Sequence, residues 1–100
     1  MLVKVHGEGY WEFIKEMWHE GIKKSEMYIN QDTYFMKDTY FAAVEAARTT
    51  VIATDLLISN KNIKSSLALV RPPGHHSGMK SQPHGFSFFN NLALAVTHAL

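Results

Sequence analysis

One hundred residues with 46% apolar content suffice for one small domain and leave no room for two independent ones. A formal net charge of +1 argues against a general nucleic-acid binder, and the absence of cysteine excludes disulfides, thiolate zinc sites and a cysteine nucleophile. The charge is uneven: residues 1–55 hold six Lys and Arg against nine Asp and Glu, whereas residues 56–100 hold four basic residues and no acid.

Residues Met1 to Glu8 lack the sustained apolar core of a signal peptide, and no apolar run approaches the ~20 residues needed to span a bilayer. A soluble, cytoplasmic protein without direct nucleic-acid or membrane partners is expected. From Glu8 to Lys24, apolar residues at Tyr10, Phe13, Ile14, Met17, Trp18 and Ile22 predict an amphipathic helix. Trp11 and Trp18 read as packing residues. Ser25 to Gln31 reads as a connector, and Asp32 to Thr39 as a polar, turn-like stretch.

Asp38 stands at the N-cap position of a second helix, predicted from Thr39 to Ile58. Its alanines permit close packing, while the β-branched run Thr49 to Ile52 lowers helix propensity and predicts burial as the compensation. Ser66-Leu67-Ala68-Leu69-Val70 predicts a short buried parallel strand, ended by Pro72 and Pro73. One strand cannot make a parallel sheet, so the segment requires partner strands. Residues 72–84 form a long irregular loop, and Asn90 or Asn91 caps a closing helix from Leu92. Helix, strand, loop and helix imply part of an α/β fold, with a site at the carboxyl end of the strand.

That loop carries Arg71-Pro72-Pro73-Gly74-His75-His76, followed by Gly85-Phe86-Ser87-Phe88-Phe89-Asn90-Asn91. Imidazole titrates near neutrality, so a rigidly held pair suits proton transfer. Adjacent side chains in an extended loop diverge, which favours separate tasks for His75 and His76 over joint binding of one metal. With no acid after Asp55, no carboxylate nearby in sequence is available to orient them. Solvated surface is the competing reading for the pair. His84 reads as loop surface, and His6, His19 and His98 as ordinary residues.

The two motifs resemble the paired signature of the histone deacetylase superfamily, which includes acetylpolyamine amidohydrolases and acetoin utilization proteins. Val5-His6 with Tyr10, and Asp32-Thr33-Tyr34 before the alanine-rich helix, resemble that family in order and spacing. The resemblance covers essentially the whole chain. It implies a partial arginase/deacetylase-like α/β fold, a parallel sheet with flanking helices, and zinc-dependent hydrolysis of an acetylated amine such as acetyl-lysine or an acetylpolyamine. By that likeness His76 is general base and then acid, and His75 its electrostatic partner. Gly85 offers a backbone carbonyl, Phe86 forms a tunnel wall and Asp32 receives a polar part of the substrate at the rim.

Ser87 stands where the family commonly has Cys. The family's opening strand region, its zinc ligands, its oxyanion-steadying tyrosine and its supporting carboxylates have no counterpart in residues 1–100. The resemblance thus implies an internal fragment: Zn2+ belongs to the complete enzyme, this chain supplies no metal ligand, and the chain alone is expected to be inactive. Association with a complementing chain, or as a homo-oligomer, is expected. The alternative is a non-catalytic remnant or partner-binding module of the same family, and a small His-based metal binder is a third reading.

Overall fold

The computed structural model describes residues 2–23, 26–78 and 83–100. The predicted helix end at Lys24, the connector start at Ser25, the loop residues 79–82 and the side chain of Ile22 lie outside the described residues. Helix α1 spans Leu2–His6, α2 Glu8–Lys23, α3 Thr39–Ser59 and α4 Asn91–Ala99, with strands β1 at Glu26–Tyr28 and β2 at Tyr34–Met36. Gly7, at φ 80°, separates α1 from α2 in a left-handed conformation that glycine adopts without penalty.

The α2 stripe does what its spacing predicts. Tyr10 and Ile14 are buried, and Phe13, Met17 and Trp18 pack against the same core. Trp18 stacks on Tyr40 with centroids 4.9 Å apart, and Trp11 lies 5.9 Å from the Tyr40 and Phe89 rings. Phe35 of β2, Ala43 and Ala47 of α3, Phe88, Phe89 and Leu94 of α4 complete the core. The alanines let α3 approach its neighbours closely, as their small volume predicts.

The stretches read as connector and turn instead hold an antiparallel hairpin, with Glu26 opposite Met36, Met27 opposite Phe35 and Tyr28 opposite Tyr34. Three-residue strands are too short for alternation to be legible. The hairpin loop is closed by Ile29 N–H donating to the Thr33 carbonyl, and by Asn30 Oδ1 accepting the amides of Asp32 and Thr33.

Asp38 does hold the N-cap position of α3, and its carbonyl accepts from Ala42, but its side chain makes no cap bond. Thr39 Oγ1 instead accepts from Met36 N–H. Burial holds the β-branched run only in part, because Val51 packs against the core while Thr49 and Ile52 are exposed. Thr50 and Thr54 donate their hydroxyls to the carbonyls four residues back, at 2.8 and 3.0 Å, which keeps them compatible with the helix.

Ser66–Val70 corrects the expectation of a buried parallel strand. Leu67 and Leu69 are 81% and 88% exposed, and the sole sheet among the described residues is the antiparallel hairpin. A strand needs a backbone partner, and no described segment pairs with this one. Ser66 Oγ anchors its start by donating to the Ala53 carbonyl of α3. Asn90 caps α4 as predicted, its Oδ1 accepting from Ala93 N–H at 2.9 Å. No described helix is long and apolar enough to cross a membrane.

Candidate functional site

The His75-His76 loop and the Gly85–Phe86 turn are folded onto one another. His84 and Ser87 pair as an antiparallel bridge, with N–H to carbonyl bonds of 3.1 and 2.9 Å. Gly85 and Phe86 between them have φ of 53° and 64°, as a tight two-residue hairpin turn demands. For Phe86 this left-handed backbone costs about 1–2 kcal/mol. Such strain persists only where surrounding contacts hold it, and here Phe86 N–H donates to the Oγ1 of fully buried Thr33 at 3.2 Å.

Thr33 in turn donates its hydroxyl proton to Asp32 Oδ1 at 2.8 Å. The exposed carboxylate of Asp32 and the backbone of Phe86 are therefore joined through one buried hydroxyl. Asn30 adds a second tie, its Nδ2 donating to the Pro83 carbonyl at 2.8 Å.

Ser87 is fully buried, and its Oγ accepts the backbone N–H groups of His75 and His76, each at 3.3 Å. Both imidazoles remain exposed. Their rings do not diverge, contrary to expectation: the centroids are 4.1 Å apart at an interplanar angle of 45°. The shared Ser87 acceptor bends the backbone here, so the alternation of an extended chain does not apply. His84 is more than loop surface, since its ring meets that of His76 edge-on at 5.9 Å.

Gly74 and Gly85 allow these approaches. A β-carbon on Gly74 would lie 2.2 Å from Asn91 Cγ, and one on Gly85 would lie 2.7 Å from His76 Cδ2. Gly74 also accepts at its carbonyl from Leu92 N–H at 3.0 Å, tying the loop to the start of α4.

His6 is not an ordinary residue. It is buried, its Nδ1 lies 3.0 Å from the Gly78 carbonyl, and its Nε2 accepts from Asn90 N–H at 2.9 Å. The carbonyl can only accept and the amide can only donate, which fixes a neutral ring with the proton on Nδ1. Burial holds this imidazole below the usual histidine range, with the Gly78 hydrogen bond opposing in part. His6 stacks on Tyr10 at 4.5 Å, and the Tyr10 hydroxyl donates to the Phe88 carbonyl. Burial pushes the Tyr10 phenol far up, the Ser77 hydroxyl working the other way. Val5-His6 and Tyr10 stand close in sequence on either side of Gly7, at the end of α1 and in the first turns of α2, but that spacing carries no sign of the backbone partners of His6.

A cleft of about 620 Å³ opens beside the turn, lined among others by Tyr34, Lys37, Arg71, Pro73, Phe86 and Phe88. Neither His75 nor His76 lines it, so it is separate from the imidazole pair. Among the described residues, no group of three or more His, Asp or Glu could hold a metal ion. The described residues do not fit a bound zinc.

The histone deacetylase domain family matches residues 1–100. The chain belongs to the histone deacetylase family. It is 33% identical over 100 residues to polyamine deacetylase HDAC10 of Danio rerio, covering 98% of this chain and 14% of that protein. It is 32% identical over 103 residues to histone deacetylase HDA1 of Candida albicans, covering 99% of this chain and 12% of that protein. The crystal structure of the HDA15 HD domain superposes with a TM-score of 0.82 at 30% identity, covering 98% of this chain and 26% of that one. These hundred residues therefore correspond to a minor part of each relative and adopt the deacetylase fold over that part. The parallel sheet implied by the resemblance is not formed among the described residues.

Proposed function

We propose that this chain is the proton-transfer segment of a zinc-dependent deacetylase that hydrolyses an acetylated amine, of the acetyl-lysine or acetylpolyamine type. One observation carries the reading: two adjacent, exposed imidazoles in ring contact, on a backbone that buried Ser87 holds at both N–H groups. Preorganisation of this kind is what general acid–base catalysis requires of a proton carrier. The relatives named for polyamine and histone deacetylation support the substrate class.

His76 is the general base and then the acid for the leaving amine, and His75 is its electrostatic partner. Gly85, folded under the His76 ring, presents its backbone carbonyl to the substrate, and Phe86, 54% exposed, forms one wall of the alkyl channel. Asp32 at the rim receives the polar part of the substrate. Zinc would be held by residues of the complete enzyme outside this segment, where it would polarise the acetyl carbonyl and activate water. The hundred residues alone accordingly turn over acetylated amines poorly or not at all, and exposed Leu67 and Leu69 offer a place for a complementing polypeptide.

The test is replacement of His76 by Ala in a complete deacetylase domain that contains this segment. Turnover of an acetylated amine should fall by roughly 10²–10⁴-fold with zinc content unchanged. Parallel loss of zinc would make His76 a ligand and overturn the assignment, and unchanged turnover would remove it from the chemistry.

A further inference from the structure

Every bond that His6 makes through its ring goes to the backbone flanking the candidate site. Nδ1–H donates to the carbonyl of Gly78, two residues after His76, and Nε2 accepts from Asn90 N–H, three residues after Ser87. Asn90 closes the same junction from its other end, its Nδ2 donating to the Ser77 carbonyl at 2.9 Å while its Oδ1 caps α4. The segments before and after the Gly85–Phe86 turn are thus joined through one buried imidazole.

We propose that His6 is a positioning residue for the tandem histidines: as the neutral Nδ1–H tautomer it clamps Gly78 to Asn90, and protonation at Nε2 releases the loop that carries His75 and His76. This role rests on the proton-transfer reading of that pair, although the clamp itself is independent of it. The reason is hydrogen-bond polarity. A protonated ring has two donors and no acceptor, so its Nε2–H would face Asn90 N–H inside the fold, leaving a buried donor unmatched.

Among the described residues, the groups around the ring offer no countercharge. Tyr10 of α2 is the titratable side chain stacked on it, and burial keeps that phenol protonated far above neutrality. Phe89, at 6.0 Å, and the backbone of Gly78 and Asn90 supply the other contacts. Lys4, on the same short helix, is exposed and of the same sign as a protonated His6.

The experiment is amide hydrogen exchange by NMR on the ¹⁵N-labelled full chain between pH 7.5 and 5, each rate taken relative to its unstructured value. Ala46 and Ala47 in α3 report whether the fold persists. In the unmodified chain, Asn90, His75 and His76 should lose protection as His6 protonates by on the order of tenfold more than Ala46 and Ala47, which follow only the accompanying change in global stability. His6→Gln places a non-titrating carbonyl oxygen near the position of Nε2, and should keep protection at Asn90 while abolishing the pH step.

A pH step that survives in His6→Gln overturns the proposal, as does a flat profile in the unmodified chain through the His6 midpoint. Should His6→Gln lose protection at Ala46 and Ala47, the unmodified chain decides alone, by whether the Asn90 and His6 titrations coincide. None of these readouts involves turnover. Failure of the clamp is therefore distinct from failure of the catalytic assignment, which the His76→Ala experiment addresses.

Discussion

The imidazole of His76 rests on the α-carbon of Gly85, so close that a methyl group on that carbon would sit 2.7 Å from Cδ2 and 2.9 Å from Cγ. Gly85 also has φ of 53°, so two independent constraints favour glycine at one position. Gly85→Ala should destabilise the protein by about 1–3 kcal/mol and displace the His76 ring. Chemical denaturation together with the His76 ring resonances checks both halves. Unchanged resonances with reduced stability would mean the backbone term acts alone.

Ser87 Oγ is a single acceptor serving two amides. Ser87→Ala leaves both N–H groups without it, at a cost of about 1–3 kcal/mol. The His75 and His76 amides should exchange faster in that variant than in the parent, while Ala47 in α3 changes only with global stability. Equal effects at all three positions would deny Ser87 a local role.

The pH dependence of stability follows from His6. Its folded pKa lies below the unfolded value of about 6.5, so the unfolded chain takes up the proton first as pH falls. The stabilisation is therefore fully present above about pH 6.5 and is lost as pH drops through the folded value. Denaturation midpoints across pH 7.5 to 5 should decline, and His6→Gln should flatten the part of the decline due to this residue. A decline of equal size in the variant would assign it to other groups.

Leu67 and Leu69 face solvent, so their replacement by Lys should change the stability of the isolated chain by no more than about 0.5 kcal/mol. In a complete deacetylase domain the same double substitution should be strongly destabilising, because there the leucines are expected to be covered. Comparable denaturation midpoints for parent and variant in the complete domain would show that this run is not a sheet strand.

Legibility in the sequence tracked the length over which a pattern repeats. Helices α2 and α3, of 16 and 21 residues, extend over several turns, and the start of α2 and both limits of α3 are readable to within a residue. Strands β1 and β2 have three residues each and carry no measurable period. The tandem histidines were legible as a motif, but their ring contact was not, since it depends on Ser87 reaching back eleven and twelve residues to bend the loop. The role of His6 is not legible in the sequence because its partners are backbone groups 72 and 84 residues along the chain, which no local pattern reports. The stretch Ser66–Val70 has the composition of a strand, yet composition supplies no neighbour for its backbone.

The hydroxyl of Thr33 has one proton, and that proton is committed to Asp32, so the oxygen is turned with its lone pairs toward Phe86 N–H. A shift of the Asp32 carboxylate is therefore passed through a single buried hydroxyl to the backbone of Phe86. If these two residues hold substrate as proposed, whatever engages the carboxylate bears on the aromatic ring through that one oxygen.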